Sequence, residues 1–246
     1  MEVGSAQAIP ALEANKLIDI LTRSMAFSLN IPIHVNACIG KNKQGDSMDI
    51  IFSRREKNTE VEYNDIYGIF RNKKINGYSL NRFYEGWSSN YRSLEVLYTT
   101  LTNRYYRTIT IDNYIFGLLR GFDGYFSKYI KNILFAKNKS AGIKKYQNLK
   151  KPRSGAPGYA EMLQYTIDDS HYLKKFSNID TTLVSYCRKI RNALAHGDAV
   201  EANRILRTLH VTNFMNILER LARYMVLKSL KMTEDQINLA LGGYVK

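Results

Sequence analysis

Arg191 and His196, set five positions apart in Arg191-Asn-Ala-Leu-Ala-His196, are the pair in this chain best suited to phosphate chemistry. Histidine exchanges protons near neutral pH. Arginine stays charged and grips a pair of phosphate oxygens at once. Cutting RNA without a metal calls for these abilities. It needs a base for the ribose 2′-OH, a cation for the charge on the pentavalent phosphorane, and an acid for the departing 5′-oxygen. One chain supplies a single histidine here. Copies facing each other across a two-fold axis would supply a separate base and acid, so the chemistry points to a homodimer with a composite site.

The pattern is short, and its context gives it meaning. Asp180 to His196 reads as a helix with Leu183, Val184, Cys187, Ile190 and Leu194 on its inner face. Gly197 follows at the position where helices often end in left-handed backbone, which places His196 at the helix C-terminus. Asn192 lies four residues before His196, on the same helix face, where it could orient the imidazole or a phosphate. Arg188, one turn earlier, is a candidate RNA-binding cation. His34, His171 and His210 have no arginine five residues before them and are read as structural.

Several elements must hold this pair in place. Ala11 to about Asn30 is predicted as a helix behind Pro10. Ile31–Ile39 and Met48–Ser53 flank the turn-like Gly40-Lys-Asn-Lys-Gln-Gly-Asp46 and predict a hairpin. Asn81 to Tyr106 and Ile111 to Ala136 repeat apolar residues every three or four positions, as buried helices do. Lys137 to Gly158 carries Lys144, Lys145, Lys150, Lys151 and Arg153 before Ser-Gly-Ala-Pro-Gly, and reads as a basic loop able to hold RNA backbone. Arg104-Tyr-Tyr-Arg107 could stack on RNA. Tyr159 to Ile167 predicts a short helix, and Ala199 to Leu230 one long helix. Thr233-Glu-Asp should cap a last short helix.

Composition sets the wider limits. The formal net charge of +14 over 246 residues favours polyanionic partners, and 18 tyrosines offer rings for unpaired bases. Cys38 and Cys187 stand far apart and outside any CxxC or Cys/His cluster, so a disulfide framework or zinc ribbon is unsupported and a reducing cytoplasm is expected. No run approaches the roughly 18 uninterrupted apolar residues of a membrane span, so no membrane role is expected. Gly-rich phosphate loops, HExxH, a nucleophile elbow and clustered carboxylates for metal pairs are all missing. No cofactor or metal is expected.

Taken together, Arg191-Asn-Ala-Leu-Ala-His196 with long helices on both sides resembles the HEPN ribonuclease superfamily. More narrowly, Asp180 to Gly197 with the Ile111 to Ala136 helix resembles the HEPN half of Apea-like proteins, which serve bacterial anti-phage abortive infection. The resemblance covers about residues 110 to 230. It implies a bundle of four or five helices, a homodimer, and metal-independent RNA cleavage by Arg191 and His196, with Asn192 as the adjacent polar position. Family members often carry an acid on the first bundle helix, and Asp123 matches it. The expected architecture is mainly α: an up-and-down HEPN-like bundle over 109–246, with a small α+β region over 1–108 read as the remnant of a sensing domain.

The leading functional expectation is a growth-arrest effector that cuts cellular RNA such as tRNA and answers to a phage-derived trigger or an antitoxin. One rival is a non-catalytic RNA- or nucleotide-binding module, or a regulatory partner in a defence complex. Another is a helical DNA-binding regulator, disfavoured because the inner face of the Asp180–His196 helix is apolar where a recognition helix displays polar residues.

Overall fold

The computed structural model describes residues 10–30, 33, 39–41, 47–49, 78–104, 108–141, 157–176, 179 and 181–242. Helix α1 (Ala11–Leu29) starts behind Pro10 and ends at Asn30 with φ 60°, a left-handed cap that asparagine tolerates better than most residues. Strands β1 (Ile39–Lys41) and β2 (Ser47–Asp49) pair antiparallel, with Ile39 opposite Asp49. These three-residue strands differ from the expected hairpin, since Gly40 and Lys41 of β1 come from the stretch read as its turn. Apart from Ile33, which is not in a strand, the rest of the expected runs lies outside the described residues.

Helix α2 (Leu80–Asn103) opens where the Ser79 hydroxyl accepts a bond from the Arg82 backbone N–H at 3.2 Å. Its buried stripe includes Phe83, Trp87, Leu94, Leu97 and Leu101, and Trp87 stacks on Tyr98 with ring centroids 3.8 Å apart. Helix α3 (Ile111–Tyr125) is capped by Thr110 and packs along α2. The approach is unusually close. A Cβ added at Gly117 would lie 2.7 Å from Thr100, one at Gly121 would lie 2.8 Å from the Leu97 Cα, and one at Gly124 would lie 2.5 Å from the Ser93 carbonyl oxygen. Gly121 and Gly124 therefore meet backbone, which cannot rotate away as a side chain can.

The long helix expected from Ile111 to Ala136 runs without a break to Ala141, so residues 137–141, read from the sequence as the start of a basic loop, are helical. A π turn (Phe126–Ile130) joins α3 to α4 (Lys131–Ala141). This wider turn lets consecutive residues Lys128 and Tyr129 both donate to the Asn90 side-chain oxygen on α2. Helix α5 (Tyr159–Asp169) and a 3₁₀ turn (Leu173–Lys175) lead to α6 (Thr181–Ala195).

The single helix expected over 199–230 is two, α7 (Ala199–Arg207) and α8 (Val211–Ser229). The break lies at Thr208–His210. There, Thr208 N–H donates to Ile205 and Leu209 N–H to Leu206 in the tight i→i+3 pattern, and the Thr208 hydroxyl competes for the Ile205 carbonyl at 2.7 Å. Helix α9 (Glu234–Leu241) has the capping box expected at Thr233, with Gln236 as the reciprocal partner.

Helix α8 is buried along most of its length and contacts both α2 and α3, so it is the centre of the bundle. Its one deeply buried cation, Arg223 at 1% exposure, donates to Glu219 at 2.8 Å and to Asn30 at 2.9 Å. Arg104 also reaches Glu219. Burial alone would push the Glu219 carboxyl up, but Arg223 and Arg104 hold it below the usual carboxylate range. Arg104 is therefore committed to an internal ion pair, while Tyr105, Tyr106 and Arg107 lie outside the described residues. Among the described residues, no helix is long and apolar enough to cross a membrane.

The glycine contact makes a direct prediction for stability. Gly124→Ala should cost about 1–3 kcal/mol through overpacking, or a fall in Tm of roughly 2–10 °C. Gly242→Ala, at a site with nothing within 4 Å, should leave thermal unfolding unchanged. Equal Tm values for both variants and the parent chain would contradict the close approach.

Candidate functional site

Helix α6 buries Leu183, Val184, Cys187 and Ile190 and turns Arg188, Arg191 and Asn192 toward its accessible side. Its end is built as the sequence predicts. Gly197 sits at φ 75°, its N–H donates to Leu194 at 3.1 Å, and the Asp198 N–H reaches back to Ala193 at 2.8 Å. That pair of bonds is the Schellman closure, and it leaves His196 exposed at the helix terminus. Asp198 then caps α7 by accepting the Glu201 N–H at 2.9 Å. One short stretch thus ends one helix, starts the next and presents His196 between them.

Asp123, on α3, meets Arg191 although 68 residues separate them in sequence. Arg191 Nη2 lies 3.3 Å from Asp123 Oδ2 and 3.5 Å from Oδ1, and Nε lies 3.4 Å from Oδ2. The guanidinium also sits 5.7 Å from the centre of the Tyr159 ring, and the Tyr159 hydroxyl donates to the Leu119 carbonyl on α3 at 3.3 Å. Helices α3, α5 and α6 converge here. Partial burial pushes the Asp123 carboxyl up from its ordinary value, and Arg191 offsets this only in part.

Two cavities flank α6. A small one of about 340 Å³ is lined by Asp123, Gly158, Tyr159, Arg188, Arg191 and Asn192, among others. A wider one of about 1180 Å³ lies between α6 and α7, and His196, Tyr186, Lys189 and Arg204 help to line it. Arg188 and Asn192 border both. Arg191 and His196 therefore open onto different cavities of one chain, joined by the Arg188–Asn192 ridge. No side-chain hydrogen bond ties Asn192 to His196. In the wider cavity, Arg204 is held by Glu201 at 2.6 Å, while Arg188 makes no ion pair among the described residues.

Of the candidates read from the sequence, Arg188, Arg191, Asn192 and Asp123 come together, and His196 stands one turn beyond. Lys144, Lys145, Lys150, Lys151 and Arg153 lie outside the described residues. Tyr159 and Gly158 were not singled out from the sequence. The hint available was that the Pro-Gly stop before Tyr159 must begin a helix directly after the basic run. Among the described residues, no group of three or more His, Cys, Asp or Glu could hold a metal ion.

The Asp123–Arg191 pair is more than a third exposed on both sides, so its contribution to stability should be small. A double-mutant cycle of Asp123→Asn and Arg191→Gln in urea unfolding should give a coupling below about 1 kcal/mol. A much larger coupling would mean that the pair holds the fold and is not free to serve a ligand.

A family model described as Apea-like HEPN matches residues 84–236. No curated protein and no solved structure matches the chain.

Proposed function

Since the chain belongs to the Apea-like HEPN family, we propose that it is a metal-independent endoribonuclease of a defence or toxin system, cutting cellular RNA such as tRNA. The observation that carries this reading is the arrangement on α6: Arg191 steadied by Asp123, with His196 exposed at the helix end on the same accessible side as Arg188 and Asn192.

In the proposed reaction, His196 takes the proton of a ribose 2′-OH, whose oxygen then attacks the adjacent phosphorus. Arg191 grips the non-bridging oxygens as the phosphorane gains charge. The P–O5′ bond breaks, leaving a 2′,3′-cyclic phosphate and a 5′-hydroxyl, and the leaving oxygen takes a proton from an acid. His196 of a second copy fits that role, which makes the working unit a homodimer with a composite site. A phage-derived trigger or an antitoxin would then govern when the site is open to RNA.

One observation favours a second reading. Arg191 and His196 border separate cavities, so a phosphate seated in either one meets a single member of the pair within one chain. Under this reading the chain is an RNA- or nucleotide-binding module, or a regulatory partner.

Incubating the purified chain with total tRNA and single-stranded RNA in EDTA separates these readings. Wild type should yield fragments with 2′,3′-cyclic phosphate ends, and His196→Ala and Arg191→Ala should lower the rate by about 10²-fold or more, in the range typical for a lost acid–base group. RNA that stays intact but bound, with weaker binding by Arg191→Ala, would support the binding module.

A further inference from the structure

Arg188 and Asn192 stand one turn apart on α6 and border both cavities, so a chain of nucleotides crossing this ridge would place a neighbour in each. Building on the nuclease reading for the presence of RNA here, we infer that an RNA strand crosses the ridge, with the small cavity reading guanine and the wide cavity accepting any base.

The two cavities differ in size and chemistry. At about 340 Å³, the small one lies near the lower end of the roughly 300–1,000 Å³ range of small-ligand sites, which suits one base. It offers groups of both signs. Asp123 Oδ1 accepts a single contact, at 3.5 Å, and keeps lone-pair capacity. Arg188 brings a guanidinium without an ion-pair partner among the described residues. Guanine matches both at once: its O6 and N7 accept from a guanidinium, and its N1–H and amino group donate to a carboxylate. Adenine and cytosine each present only part of that combination. The wide cavity, at about 1180 Å³, is several times larger than one base; Tyr186, Ala193 and Ile205 line it together with charged groups, of which Glu201 is taken up by Arg204 and Asp198 by the Glu201 N–H. An aromatic ring and aliphatic groups touch the face of any base without reading its edge.

Gly158 gives a clean way to test the small cavity. A Cβ there meets only Glu161 Oε2, at 4.0 Å, and the backbone at φ −80° accepts any side chain. Gly158→Leu therefore adds bulk to the lining of the small cavity without a clash at its Cβ, and leaves the wide cavity, where His196 sits, unaltered.

The experiment is equilibrium binding of the full-length chain to fluorescent 2′-O-methyl octamers of uridine bearing one central guanine, adenine or cytosine, at fixed salt. The guanine strand should bind roughly tenfold tighter than the others. Gly158→Leu should erase that preference while keeping affinity for the all-uridine strand within about threefold, and Arg188→Gln should erase it with some loss of overall affinity. Equal affinity for all strands, or a guanine preference that persists in Gly158→Leu, overturns the inference. These strands cannot be cut by 2′-OH attack. A guanine preference in a chain that leaves ordinary RNA intact would keep the subsite and sink the nuclease reading, while cleavage without the preference would do the reverse.

Discussion

Contact between the backbones of α2 and α3 governs where everything else in this protein sits. Gly117, Gly121 and Gly124 recur at near-helical intervals, and any side chain at the last two would strike α2 backbone. With α3 seated so deep, its other faces are free for different work. Asp123, between Gly121 and Gly124, reaches Arg191 on α6, and the Leu119 carbonyl receives the Tyr159 hydroxyl from α5. The glycines thus fix the distance from which a carboxylate on one helix can steady an arginine on another.

Charge is used differently inside the bundle and at its surface. The buried Glu219–Arg223 pair, with Arg104 and Asn30 attached, ties α1 and the end of α2 to α8. Removing one partner of such a pair would strand a charge where water cannot reach it. The Asp123–Arg191 pair is longer and open to solvent, so it costs little to rearrange and can exchange contacts with an incoming phosphate or base. The stable ion pair belongs to the fold, and the looser one suits a site.

Much of this was legible in the sequence because apolar spacing and stop signals agreed. Helix α6 showed its inner face at Leu183, Val184, Cys187 and Ile190, and Gly197 marked its end, so the exposure of His196 followed from local rules. Asp123 was reachable only through family resemblance, since no spacing rule links positions 68 residues apart. The break between α7 and α8 was hidden because apolar residues continue through it at Leu206, Leu209 and Phe214, and the deciding event is a threonine hydroxyl competing for a carbonyl. The π turn was hidden in the same way, as Phe126 and Ile130 keep the buried stripe running. The cavities were least legible of all. Gly158 and Tyr159 border Arg191 in space only, and nothing in the sequence showed that Arg188, a candidate RNA-binding cation, borders both cavities.

Chemistry at the 2′-hydroxyl is the feature on which the proposed role of Arg191 and His196 rests. The decisive measurement takes an RNA whose cut site has been mapped, replaces the ribose before that site with 2′-deoxyribose, and follows cleavage by wild type in EDTA under single-turnover conditions. Attack by the 2′-oxygen requires that cleavage at that linkage disappear while other linkages are still cut. Continued cleavage at the deoxy-substituted linkage would show that another nucleophile breaks the bond and would contradict the role proposed for Arg191 and His196.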